Sequence, residues 1–166
     1  MKKRMRIVLF IIICLFLVFL DQYTKAIAVR YLKGQNPVPV ISSVLYFLYI
    51  ENRGAAFGFL QGAQIFFYLI TIFVLFLILY VLRKLPDEKR YVPLYIVCVL
   101  IFSGAIGNFI DRVRQQYVVD FIYFKPIDFP VFNVADIYVT TGAIIMVLLF
   151  LLFYNDHELD FLKVRK

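Results

Sequence analysis

The stretch IFFYLITIFVLFLILYVL, residues 65–82, runs for 18 residues without a charged side chain. At a helical rise of about 1.5 Å per residue, such a run is roughly as long as the hydrocarbon core of a bilayer is thick. The stretch therefore predicts a transmembrane helix.

Three more apolar runs of similar length occupy residues 7–29, 91–110 and 137–154. The first follows four basic residues, as a secretory signal peptide would, but no small-residue cleavage site comes after it. We therefore expect an uncleaved helix there. The pattern predicts an all-α membrane protein with four transmembrane helices, in a single integral membrane domain covering residues 1–166.

Composition supports the membrane assignment and limits the chemistry. The chain is 63% hydrophobic with a mean hydropathy of +0.86, whereas soluble domains are about 45–50% apolar. Its net charge of +7 comes from basic residues at the ends of apolar runs, which suits anionic lipid better than nucleic acid. Cys14 and Cys98 lie inside apolar runs, and the single histidine, His157, excludes an H-E-x-x-H zinc site. We expect no metal and no other cofactor.

The basic residues also predict the orientation. An even number of helices puts both termini on one side, and that side carries eleven Lys and Arg residues against seven on the other. The positive-inside rule then places both termini in the cytoplasm. The connections 30–64 and 111–133 face outward. The first of these is rich in β-formers, so we expect a small sheet at the outer interface.

Polar side chains from four segments converge at this outer level. Asp21 and Lys25 have the i, i+4 spacing of an ion pair. The other members lie at the outer helix ends or in the outer connections: Asn52, Arg53, Asn108, Asp111, Arg112, Asp120, Asn133 and Asp136. Ionisable groups beside hydrocarbon are costly, so their accumulation at one depth predicts a functional site.

Asp120 and Asp136 are the most informative of these residues. Two carboxylates that meet can share one proton, which is the arrangement of aspartyl-type hydrolysis. A purely structural reading also exists, in which Asn133 caps a helix and Asp136 complements its dipole. Asp128 is a third, weaker acidic candidate in a turn-like stretch. The serines have no histidine and no obvious lysine partner.

Five sequence blocks together resemble the bacterial lipoprotein signal peptidases, also called signal peptidase II. The blocks occur in the family's order between residues 21 and 141: DQYTK (21–25), NRGAAF (52–57), GAIGNFIDR (104–112), VVDF (118–121) and FNVAD (132–136). The resemblance implies an intramembrane aspartyl endopeptidase that cleaves diacylglyceryl-modified prolipoproteins just before the lipidated cysteine. It also implies an extracytoplasmic β-cradle and a short interfacial helix in the bacterial cytoplasmic membrane.

The same resemblance assigns roles to individual residues. It implies that Asp120 and Asp136 form the catalytic dyad. Residues implied to support the site or to contact substrate are Asp21, Lys25, Asn52, Gly54, Asn108, Arg112 and Asn133. Membrane lipids and globomycin-type inhibitors are the other expected ligands, and we expect a monomer. A small transporter with intramembrane carboxylates is the alternative function, and a non-catalytic scaffold is a further one.

Overall fold

The computed structural model describes residues 3–54 and 62–162. Within them, four apolar segments are long enough to cross a membrane, as the sequence predicted. The helices are α1 (Lys3–Leu32), α2 (Gln64–Lys84), α3 (Val92–Gln115) and α4 (Val134–Leu148). A 3₁₀ turn, Lys89–Tyr91, precedes α3, and a π-helical turn, Leu149–Phe153, extends α4.

The helices extend beyond the predicted apolar runs, most clearly in α1 and α3. Helix α1 begins before residue 7 and ends after residue 29, and α3 continues through the polar residues after position 110. Backbone hydrogen bonding continues into the polar interface, where charged side chains can be solvated, so apolar length is a lower bound on helix length. Helix α3 ends at Gln115 and is capped by Gln116, whose φ of 64° is in the left-handed region.

A three-stranded antiparallel sheet lies at one end of the helices. Its order is β1 (Val38–Ile41), β2 (Leu45–Asn52) and β3 (Val118–Phe124). The first two strands confirm the sheet predicted in the first outer connection. Strand β3 comes from the second outer connection and was not predicted. It pairs Asp120 with Ile50 and Val118 with Asn52, so Asn52 and Asp120, one from each connection, lie on neighbouring strands.

Helix α3 is the centre of the bundle, because α1, α2 and α4 all pack against it. Small residues allow the closest approaches. A Cβ at Gly104 would collide with the carbonyl oxygen of Ala135, and a Cβ at Gly107 would lie 2.5 Å from Oδ2 of Asp21. The two glycines therefore allow close helix packing, as small residues do in membrane proteins.

The exterior is apolar and several polar side chains are buried. Ile65 and Leu152 expose 74% and 80% of their surface, whereas Asp21 and Asn133 expose none. This distribution suits lipid as the surrounding solvent. The family resemblance implied a short interfacial helix but gave no residue range for it. The described parts of the first outer connection hold β1 and β2 but no helix, and residues 55–61 lie outside the described residues.

Candidate active site

Helix α4 begins at a capping box built from two predicted site residues. The Asn133 side chain accepts a hydrogen bond from the backbone N–H of Asp136 at 3.0 Å. The Asp136 carboxylate accepts one in return from the backbone N–H of Asn133 at 3.1 Å. The structural reading of this pair is therefore correct. It does not exhaust the role of either residue, because both side chains make further contacts with the site.

Asp120 is brought to the same place by strand β3. Its carboxylate is 2% exposed and accepts two amide hydrogens, from Asn133 Nδ2 at 2.6 Å and from Asn52 Nδ2 at 2.8 Å. Burial, followed by the nearby charge of Asp136, raises the pKa of Asp120 to about 7. The two amide donors act in the opposite direction and moderate the rise.

Three amide side chains are locked in orientation around the two carboxylates. The oxygen of Asn52 accepts from the backbone N–H of Gly54, and the oxygen of Asn133 accepts from that of Asp136. The oxygen of Asn108 accepts from the Lys25 ammonium at 2.9 Å. Each amide therefore turns its NH₂ group toward an aspartate, and Asn108 donates to Asp136 Oδ1 at 2.7 Å. Such fixed donors form a preorganised site for carboxylate chemistry.

A buried ion cluster supports this arrangement from behind. The Lys25 ammonium lies 3.0 Å from Asp21 Oδ2 and 3.0 Å from Asp111 Oδ2, and all three side chains are almost fully buried. Asp21 accepts from the backbone N–H of Ala135 in the first turn of α4, and Asp111 accepts from that of Val119 in β3. The cluster therefore ties α1 and α3 to the two elements that carry the aspartates.

Both aspartates line one cavity of about 500 Å³ between the helices and the sheet. Its floor includes Asn108 of α3, and apolar side chains such as Phe67 and Ile137 form its walls. Arg112 also faces the cavity, with its guanidinium 4.5 Å from the centre of the Phe67 ring and Nη2 3.4 Å from the Gly54 carbonyl oxygen. The cavity thus combines an apolar lining with a few oriented polar groups, as ligand sites do.

The predicted residues are distributed in two layers. Asp120, Asp136, Asn52, Gly54, Asn108 and Arg112 line the cavity. Asn133 links both aspartates without lining it, while Asp21 and Lys25 lie behind. Asp128 is not part of the cavity lining. It is exposed and accepts a hydrogen bond from the Tyr123 hydroxyl at 2.7 Å. Thr140 lines the cavity but makes no hydrogen bond with Asp136 among the described contacts.

Gln22 is a supporting residue that sequence reasoning missed. Its amide donates to Asp111 Oδ1 at 2.9 Å and to the carbonyl oxygen of Gly107 at 3.2 Å. The only available signal was its position inside the block DQYTK, since its partners lie more than 80 residues away in the chain.

Comparison with known proteins identifies the family to which this chain belongs. The sequence model of a peptidase family described as "Signal peptidase (SPase) II" matches residues 13–152. The chain belongs to the signal peptidase II family. It is therefore a peptidase and a multi-pass membrane protein, and the alternative of a transporter receives no support.

Relatives and solved structures agree with the family assignment. A lipoprotein signal peptidase of Caldanaerobacter subterraneus subsp. tengcongensis is 50% identical over 137 residues, covering 82% of this chain and 91% of the relative. One from Geobacillus kaustophilus is 45% identical over 131 residues, covering 78% and 84%. A solved bacterial membrane enzyme superposes with a TM-score of 0.78 at 38% identity, covering 86% of this chain and 87% of that one.

Proposed function

We propose that this protein removes signal peptides from diacylglyceryl-modified prolipoproteins, cutting the bond before the lipidated cysteine, with Asp120 and Asp136 as the catalytic pair. The observation that carries the residue assignment is that both carboxylates accept hydrogen bonds from Asn133. Its side-chain Nδ2 donates to Asp120 and its backbone N–H donates to Asp136, and both aspartates line one cavity. Membership of the signal peptidase II family supports the reaction class.

The chemistry requires one ionised and one protonated carboxyl group. The ionised group takes a proton from a water molecule whose oxygen attacks the scissile carbonyl carbon. The protonated group donates a hydrogen bond to the carbonyl oxygen, and the leaving nitrogen receives a proton as the C–N bond breaks. Burial, followed by the nearby charge of Asp136, raises the pKa of Asp120 to about 7, so the pair can hold one shared proton near neutral pH.

The four donors fixed on the carboxylates determine where the reacting groups can act. The oxygens of Asp120 accept from Asn52 and Asn133, and those of Asp136 accept from Asn108 and the backbone of Asn133. Each oxygen keeps one further lone-pair direction. The proton, the water and the substrate carbonyl then compete for the directions that face the cavity, which limits the productive arrangements.

The helix packing supports a lateral route for the substrate. Helices α2 and α4 both pack against α3 and scarcely touch each other, so the cavity is bordered by one helix on each side. A signal peptide is itself an apolar helix-length segment. It would reach the aspartates from the lipid between α2 and α4, past Phe67 and Ile137, with its cleavage site at the level of the sheet.

We assign supporting roles to the remaining site residues. Asn52, Asn108 and Asn133 orient the carboxylates, Gly54 fixes Asn52, and Asp21 and Lys25 hold the helices together. Arg112 is directed at the cavity, where its charge suits a substrate carbonyl or an ester oxygen of the lipid. We further propose a monomer in the bacterial cytoplasmic membrane with both termini cytoplasmic and the sheet outward, surrounded by lipid and inhibited by globomycin-type compounds.

A cleavage assay tests the proposal. Purified protein in detergent is incubated with a diacylglyceryl-modified prolipoprotein and with its unlipidated form, and products are separated by gel shift. We expect cleavage of the lipidated substrate alone, abolished in Asp120→Asn and Asp136→Asn variants that remain folded. Asp128→Asn is the matched control, since that carboxylate is exposed and does not line the cavity, and it should retain full activity. Full activity of either dyad variant would overturn the assignment.

A further inference from the structure

A second large cavity lies at the end of the bundle opposite the sheet. Its volume is about 720 Å³. Helices α1 and α2 both pack against α3 but hardly contact each other, so a groove remains between them with α3 as its floor. Tyr95 and Phe102 belong to the floor, and Ile11, Leu15 and Leu79 belong to the walls.

The walls are apolar and open to the surrounding lipid. Ile11 and Leu15 expose 50% and 66% of their surface, and Leu79 exposes 47%. The floor, by contrast, is closed, because Tyr95 is buried and donates a hydrogen bond from its hydroxyl to the Arg6 carbonyl oxygen at 3.1 Å. The groove therefore offers a continuous apolar trough on the side of the bundle, which suits an extended acyl chain.

The mouth of the groove is basic. Arg6 is fixed there by the carbonyl oxygens of Leu82 and Pro86 and by Asp87, whose carboxylate lies 2.9 Å away and balances its charge. Lys3 and Arg83 also line the mouth and are exposed. Neither makes an ion pair within the part of the chain that the structure describes. Two positive charges are thus left at the end of an apolar trough.

We propose that this groove binds one anionic phospholipid, with an acyl chain along α1 and α2 and the phosphate between Lys3 and Arg83. Charge complementarity selects this occupant. A zwitterionic lipid would fill the trough equally well but gain less at the mouth, and a helix preceded by basic residues, such as a signal peptide, would be repelled there. Basic pockets between transmembrane helices are a recurrent way to bind anionic headgroups.

The absence of tryptophan makes a direct binding test possible. A Leu15→Trp variant places a single tryptophan in the groove wall, and brominated phospholipids in mixed micelles or vesicles quench it on contact. The control is Ile12→Trp, because Ile12 is similarly exposed, at 56% against 66% for Leu15, but does not line the groove. Brominated phosphatidylglycerol and brominated phosphatidylcholine are compared at equal mole fraction.

We expect the groove tryptophan to prefer phosphatidylglycerol, by roughly fivefold for each basic residue engaged at low salt. The control tryptophan should be quenched equally by both lipids. Adding Lys3→Gln and Arg83→Gln should remove the preference. Adding Arg4→Gln and Lys84→Gln, which removes the same charge from the same end without altering the lining, should leave most of the preference.

Equal quenching of the groove tryptophan by both lipids would overturn the proposal. So would a preference unaffected by the Lys3 and Arg83 changes. Neither readout depends on peptidase activity.

Discussion

Asn133 Nδ2 lies 2.6 Å from Asp120 Oδ1, while the oxygen of the same amide caps the helix that carries Asp136. One side chain thus performs a folding task and a positioning task at once. The dual role explains why the helix-cap interpretation of the block FNVAD, which the structure confirms, is compatible with the proposed catalytic role of Asp136.

Asn133→Ser should separate these two tasks. Serine caps helices about as well as asparagine, so the variant should lose only the buried hydrogen bond to Asp120, at a cost of about 1–3 kcal/mol in the free energy of unfolding. The shorter hydroxyl cannot both cap α4 and donate to Asp120, so cleavage of lipidated substrate should fall at least roughly tenfold, the equivalent of about 1.4 kcal/mol in the barrier. Asn133→Ala should lose the cap as well and destabilise the protein by about 0.5–2 kcal/mol more than Asn133→Ser. A Ser variant with unchanged cleavage would show that the amide donor is dispensable.

Stability should depend on pH through Asp120. Its pKa is raised from the ordinary 3.8 to about 7, so between these values the folded state binds more protons than the unfolded state. Stability should therefore fall as pH rises from about 4 to about 7, by an amount of order a few kcal/mol, and level off above that. Thermal unfolding in detergent across this range measures the slope, and Asp120→Asn should flatten it. The same slope in the variant would assign the titration to another group.

Removing the Lys25 ammonium should be far more damaging than removing an exposed partner. Lys25→Met leaves Asp21 and Asp111 as buried carboxylates without a counter-ion, a loss of about 3–5 kcal/mol. The matched change, Lys33→Met, breaks the exposed pair with Glu51 and should lower stability far less, because solvent screens exposed ion pairs. Thermal unfolding of both variants compares them directly. Adding Asp111→Asn to Lys25→Met should recover part of the loss, since it removes one unpaired charge, and no recovery would contradict the cluster's electrostatic role.

Two helix-packing glycines should differ in their tolerance of a methyl group. A Cβ at Gly104 meets the backbone carbonyl of Ala135 as well as a side-chain atom of Val139, so α3 and α4 must separate. The closest atom to a Cβ at Gly142 is Cγ1 of Ile101 at 2.7 Å, which a side-chain rotation can move, and Cβ of Leu100 is farther away at 3.3 Å. Gly104→Ala should therefore cost about 1–3 kcal/mol and reduce cleavage, because Ala135 adjoins Asp136. Gly142→Ala should be milder in both assays, and the reverse order would be incompatible with the observed packing.

The helices and strands differed in how well the sequence predicted them. The four helices followed from apolar length, but their ends did not, because the polar residues after position 110 in α3 carry no apolar signal. Strand β1 and strand β2 were readable from their β-forming residues. Strand β3 was missed, because a short β-rich segment pairs only when a partner strand lies beside it. The single-domain boundary at residues 1–166 stays a prediction.

By itself, the sequence determined that this protein lies in a membrane, how many helices cross it and which aspartates are candidates for the site. These features depend on hydropathy and on the spacing of residues that are near one another in the chain. Only the tertiary structure decided how the amides turn their donors toward Asp120 and Asp136, why Lys25 needs both Asp21 and Asp111, and where α1 and α2 leave a groove. These features join residues from different helices and strands, and local sequence carries no information about such distant pairings. They arise because polar groups enclosed by lipid must find their hydrogen-bond partners within the protein.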